Sequence, residues 1–176
     1  MNADAKKAVL RMIPYGIYVL TADDAQGNVA AATVNWVTQS ASAPPLVVVG
    51  VKADSGTYKT VKTARAFALN MLGKDQKNLA FTFFRPADVS EGKISGQAYR
   101  KGATGAPILV DAPGAVECAV NAICRAGRQP HRRRRGGRGA SQQAVLRQAG
   151  RGHPRDEGPR RQRVLRRVGR IRLTVS

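Results

Sequence analysis

A mainly β domain carrying a few short helices is what this sequence predicts, and three observations lead there. Two β-branched apolar runs, Val29 to Val37 and Leu46 to Val51, flank a small polar stretch closed by Pro44-Pro45, the pattern of strand, connection and strand. Further apolar runs of strand length, Gly16 to Thr21, Ala66 to Leu72 and Ala115 to Cys124, recur between turn-rich segments. Helical composition is confined to short pieces at Ala5 to Met12, Tyr58 to Ala64 and Asp75 to Phe84.

The chain of 176 residues suits one domain with a buried core, but its formal charge of +19 is unevenly placed. Residues 1–124 hold nine Lys, four Arg and nine acids, a net +4, and all nine aromatics. Residues 125–176 hold 17 Arg, no Lys and only Asp156 and Glu157, a net +15. The expectation is therefore a globular domain over 1–124 and an Arg-rich segment over 125–176 with little from which to build a core. No signal-peptide pattern and no apolar run approaching a membrane span occurs, so a cytoplasmic protein without membrane attachment is expected. Cys118 and Cys124 have no zinc or disulfide spacing and read as buried thiols, and no metal site is expected.

In chain order, Pro14 ends the first helix, and Asp23-Asp24-Ala25-Gln26-Gly27 is a hairpin turn returning into the strand from Asn28. The polar stretch that follows, with Thr33, Asn35, Thr38, Gln39, Ser40 and Ser42, offers hydroxyl and amide groups between two stiff strands, a ledge suited to a flat heteroaromatic edge. After Val51, Lys52 to Thr57 leads into a helix. Ser55 or Thr57 can cap it, or the helix mouth with two hydroxyls and Lys52 can bind a phosphate. Asn70 is the one polar side chain in an apolar strand and needs a partner, for which a neighbouring loop is preferred to a ligand. Leu79, Phe81, Phe83 and Phe84 read as core, and Arg85 to Pro107 as a surface excursion. Val116, Cys118 and Val120 share one strand face.

Other chemistries lack their motifs. There is no Gly-x-Gly-x-x-Gly, P-loop or Gly-x-Ser-x-Gly, both histidines lie beyond residue 124, and Asp23, Asp24 and Asp54 are turn residues.

Thr33-Val34-Asn35-Trp36-Val37-Thr38 followed by Pro44-Pro45-Leu46-Val47-Val48-Val49 resembles the signature of the flavin reductase-like, FMN-binding split-barrel family. Met12 to Thr21, Ser55 with Thr57, and Phe67-Ala68-Leu69-Asn70-Met71-Leu72 resemble its other blocks in the same order, so the likeness covers residues of about 8–124. The resemblance implies a split β-barrel. Thr33, Val34, Asn35, Trp36, Val37, Thr38 and Gln39 would line the isoalloxazine, with Ser55, Thr57 and Lys52 at the phosphate. It implies FMN, with FAD as the alternative, NADH or NADPH as co-substrate, and hydride transfer achieved by positioning, with no catalytic acid or base. It further implies a homodimer, and a partner oxygenase as one acceptor of the reduced flavin. The alternatives are a flavin-binding protein without turnover, or nucleic-acid binding through the Arg-rich segment, which is disfavoured because stacking aromatics and Lys are missing there.

Beyond residue 124 the family pattern stops, so the barrel is expected to be incomplete at its last strands. Three origins compete for 125–176: a disordered cationic tail that binds nucleic acid, an inert solvated tail, and out-of-frame reading of a GC-rich gene. The third is favoured by the abrupt loss of Lys and aromatics. With synonymous codons chosen freely, Arg128 to Arg138 shifted by one base can encode Gly-Asn-His-Thr-Val-Val-Val-Gly-Glu-Val, close to a Gly-Asp-His strand of the family.

Overall fold

The computed structural model describes residues 2–128, 142–147 and 172–175. In chain order the elements are α1 (Ala3–Arg11), β1 (Tyr18–Asp23), β2 (Val29–Val34), β3 (Val37–Ser42), β4 (Pro45–Lys52), α2 (Gly56–Ala64), β5 (Ala66–Met71) and α3 (Lys77–Thr82). They continue with β6 (Val89–Ser90), β7 (Lys93–Ile94), β8 (Gln97–Lys101), β9 (Pro107–Leu109), β10 (Gly114–Ala119), β11 (Ala122–Arg128), β12 (Gln142–Arg147) and β13 (Arg172–Val175).

The strands form a five-stranded sheet in the order β13-β10-β5-β1-β2, a four-stranded sheet β11-β12-β4-β3, and a small sheet β6-β7-β8-β9. β1 is the hub, antiparallel to β2 on one side (Leu20 opposite Ala32) and to β5 on the other (Leu20 opposite Leu69). Its period-two alternation feeds two cores. Leu20 and Ala22 point to the larger one with Val34, Val49, Val51, Tyr58, Val61, Phe67, Leu69, Cys118 and Val120. Val19 joins Ala31, Phe83, Ile94, Leu109 and Ala112 on the opposite face. Val116 packs against the larger core beside Cys118 and Val120, so the three share a face as their spacing implies. α2 closes that core with Tyr58 and Val61, one turn apart.

Buried polar groups tie the strands together. Asn70, fully buried, donates from Nδ2 to the Val19 carbonyl (3.0 Å) and the Thr21 hydroxyl (3.1 Å) and accepts at Oδ1 from Leu109 N–H (2.9 Å). The neighbouring loop expected to satisfy Asn70 is not its partner: the amide joins strand β1, through Val19 and Thr21, to strand β9, through Leu109. Glu117 accepts from the Thr104 N–H and hydroxyl, both at 2.7 Å. Burial pushes its pKa up, but these two bonds, the Ala103 N–H and the charge of Arg100 outweigh that and hold it below the ordinary 4.5.

Several expectations are corrected. The polar stretch between the two apolar runs is itself a strand: β3 pairs with β4 across a bulge between Gln39 and Ala41, and a cis Ala43–Pro44 bond leads into β4. β2 stops at Val34, and the run from Ala115 breaks into β10 and β11. The excursion after Arg85 carries the small sheet. α3 is only six residues long, and of its aromatics only Phe83 is buried. Cys124 is exposed, whereas Cys118 is buried with its thiol pushed up to about 12 by desolvation, then by the Glu117 charge. Of the Arg-rich segment, residues 125–128 extend β11, 142–147 pair with β4 and β11, and 172–175 pair with β10. The expectations for 129–141 and 148–171 lie outside the described residues.

Candidate functional site

A cavity of about 580 Å³ opens where β2, the mouth of α2 and the segment after α3 meet. Its volume falls in the range of about 300–1,000 Å³ typical of small-molecule sites. One wall is residues 27–32, a second is Lys52, Ser55, Gly56, Thr57 and Thr60, and the third is residues 83–87 with Val89.

The α2 wall is built by its cap. Ser55 has the extended backbone of an N-cap, accepts from Tyr58 N–H (3.1 Å) and donates its hydroxyl proton to the Lys52 carbonyl (2.6 Å). That hydroxyl is spent. Among the described residues, the N–H groups of Gly56 and Thr57 make no hydrogen bond, and the first turn has no acidic residue. Thr57 and Thr60, each 7% exposed, line the same cavity three residues apart on one helix face. Neither hydroxyl has a hydrogen-bond partner among the described residues. Two buried donors without acceptors, beside two free N–H groups at the positive end of a helix dipole, fit an anion. Lys52 stands at the rim, 3.3 Å from Asp54.

The β2 wall offers backbone. Thr33 N–H donates to the Phe83 carbonyl (3.0 Å) and its hydroxyl to the Ala80 carbonyl (2.6 Å), so Thr33 faces away from β1 and fastens α3 to the outer edge of the sheet. A strand repeats every two residues, and the N–H and C=O of Ala31 therefore face the same outer edge, where the cavity opens. Adjacent donor and acceptor on a flat strand edge suit a planar ring carrying an alternating donor and acceptor edge.

Of the expected site residues, Lys52, Ser55 and Thr57 lie together on the cavity wall. The ledge does not join them. Thr33 is committed to α3, and Val34 is in the larger core. Asn35 and Trp36 are exposed between β2 and β3, with the Trp36 carbonyl accepting from Gly50 N–H (2.7 Å). Val37 packs on the core, while exposed Thr38 and Gln39 bond to the carbonyls of Gln39 and Ala41. Sequence reasoning missed Thr60, which its i+3 spacing from Thr57 could have flagged, and the segment 83–87 and the Ala30–Ala32 backbone, which carry no such signal.

The cavity thus lies between the mouth of α2 and the outer edge of β2, the edge strand of the five-stranded antiparallel sheet. Residues 10–131 match the flavin reductase like domain, and the chain belongs to that family. A probable flavin reductase of Rhizobium meliloti is 35% identical over 112 residues, 64% of this chain and 35% of that one. The reductase subunit of stachydrine N-demethylase from the same organism is 30% identical, over 65% of this chain and 48% of that one. An NADH:FMN oxidoreductase of Rhodococcus qingshengii is 30% identical, over 69% and 62%. The chain thus matches between about a third and just under two thirds of the length of these relatives. The crystal structure of a putative oxidoreductase from Sinorhizobium meliloti superposes with a TM-score of 0.66 at 27% identity, covering 88% of this chain and 47% of the other. No helix among the described residues is long and apolar enough to cross a membrane.

Proposed function

We propose that this chain binds FMN in the cavity at the α2 mouth and reduces flavin with NADH or NADPH. The observation that carries the reading is the pair of buried hydroxyls of Thr57 and Thr60, beside the N–H groups of Gly56 and Thr57, all without a hydrogen-bond partner among the described residues. Family membership and the flavin reductases among the relatives support it. Thr57, Thr60 and the two N–H groups bind the phosphate, with Lys52 adding positive charge at the rim. Ser55 acts through the cap, holding the N–H groups in place. Ala31 and its strand neighbours bind the ring edge, and Phe83 with the segment after it excludes water from one side. FMN bound here supplies the hydride-accepting chemistry, so the protein contributes position and polarity.

Anaerobic addition of NADH or NADPH to the FMN-loaded chain is expected to bleach the flavin absorbance. A yellow protein that neither nicotinamide bleaches would leave a flavin-binding protein without turnover. A named relative being a reductase subunit of a demethylase supports delivery of reduced flavin to a partner oxygenase. The exposed Val9, Leu10, Met12, Ile13, Tyr15 and Ile17 of α1 and the segment after it support a homodimer. The family match runs to residue 131, seven residues into the Arg-rich segment and past the expected limit of 124, and its end there supports an out-of-frame origin for the residues that follow. An open alternative frame with alternating apolar codons in the coding DNA is expected; an early stop there overturns it.

A further inference from the structure

Phe81 and Phe84 have the spacing of core residues and yet lie outside the core, 52% and 63% exposed. Their rings meet edge to face, centroids 5.2 Å apart at 80°, and the Lys77 ammonium stands 5.8 Å from the Phe81 centroid. With Asn78, Thr82 and Arg85 they wall a shallow depression, and Phe84 and Arg85 also line the flavin cavity, so the two concavities adjoin. Arg85 makes no ion pair among the described residues. The apolar side chains exposed on α1 are aliphatic; here two aromatic planes stand beside two cations.

Exposed rings flanked by an unpaired guanidinium match a ligand with a flat base and a phosphate. Every base has a π-face to stack on an aromatic ring, and a guanidinium binds phosphate oxygens in bidentate fashion. We propose that Phe81, Phe84 and Arg85 form a subsite for an adenosine 5′-phosphate group, the part shared by nicotinamide dinucleotides and FAD. The proposal rests on the flavin reading only in that the remainder of the dinucleotide extends into the neighbouring cavity. The rings take the adenine, and Arg85 takes the phosphate.

The direct probe is 5′-AMP titrated into the flavin-free full chain, with adenosine for comparison. AMP is expected to bind more tightly than adenosine. Phe81→Ala, which leaves the flavin cavity wall untouched, is expected to weaken AMP roughly 5- to 100-fold, the range of one lost base stack. Arg85→Gln is expected to erase the preference of AMP over adenosine. On the FMN-loaded chain, Phe81→Ala should leave FMN affinity within about twofold of wild type. A fall in FAD affinity alone assigns the subsite to the flavin dinucleotide, and a rise in KM for NADH alone assigns it to the nicotinamide. A chain that binds FMN but not AMP, or a Phe81→Ala variant with unchanged AMP, FAD and NADH behaviour, overturns the proposal. So does a Phe81→Ala variant that only loses self-association. AMP binding without FMN binding would instead sink the flavin reading and leave the subsite standing.

Discussion

The mouth of α2 and the ledge from Thr33 to Gln39 carry the same small hydroxyl and amide chemistry, and the fold uses it in opposite ways. On the ledge Thr33, Thr38 and Gln39 are spent on the carbonyls of Ala80, Gln39 and Ala41, and exposed Asn35 makes no side-chain hydrogen bond among the described residues. At the helix mouth Ser55 is spent on the cap, while Thr57 and Thr60 are buried and their hydroxyls have no acceptor among the described residues. A strand end has carbonyls within reach of nearly any hydroxyl, whereas the first turn of a helix presents N–H groups only. Thr63 of α2 donates to the Lys59 carbonyl one turn back, whereas Thr57 and Thr60 make no such bond among the described residues and stay available for an anion.

Replacing the mouth hydroxyls tests this contrast most strongly. The shape-conserving Thr57→Val/Thr60→Val variant is expected to lose FMN affinity by roughly 100-fold or more in equilibrium titration, as two hydrogen bonds to a charged group disappear. The same variant should unfold at higher urea, gaining about 1 kcal/mol, because two buried groups without partners are removed. Thr33→Val should do the reverse, keeping FMN and losing about 1–2 kcal/mol as the Ala80 carbonyl is left without its donor. Interchanged outcomes would break the comparison.

Asn70 sets the scale for a polar group that is fully satisfied. Asn70→Ala strands Leu109 N–H in the interior and removes both amide bonds to β1, and should cost about 3 kcal/mol in urea unfolding. A loss below 1 kcal/mol would mean that the network counts for little. Glu117 adds a pH dependence. Its pKa is lowered on folding, so its contribution is present above the unfolded value near 4.5 and is lost as pH falls through the lower folded value. Glu117→Gln should therefore be less stable than wild type by about 1 kcal/mol at neutral pH, with the gap closing in acid. A constant gap from pH 7 to pH 3 would contradict it. The smallest effect is expected at Gly56, where an added Cβ meets nothing within 4 Å. Gly56→Ala should stabilise the flavin-free chain by about 0.5 kcal/mol and weaken FMN severalfold by narrowing the mouth.

These contrasts mark what was legible in the sequence. β1, β2 and β4 follow from their β-branched residues, β5 from an apolar run of strand length, and the shared face of Val116, Cys118 and Val120 from strand period. β3 was hidden because Thr38 to Ser42 has no apolar face, its order coming from backbone pairing with β4. The two-residue strands β6 and β7 are too short to show a period. Helix-mouth chemistry left Ser55 and Thr57 open between cap and phosphate, the family resemblance pointed to the phosphate, and Thr60 needed only the next step along the same face. The Ala31 edge could not be found that way, since it contributes through its backbone and has no informative side chain. Phe81 and Phe84 misled because aromatic spacing is the same whether a short helix buries its rings or turns them outward.

The central claim is that α2 holds a phosphate, and riboflavin, which lacks one, tests it most directly. Titrated side by side into wild-type and Thr57→Val protein, FMN should bind wild type at least about tenfold more tightly than riboflavin, and the substitution should shrink that ratio while leaving riboflavin unchanged. Equal affinity for FMN and riboflavin in the folded wild-type chain would contradict the account.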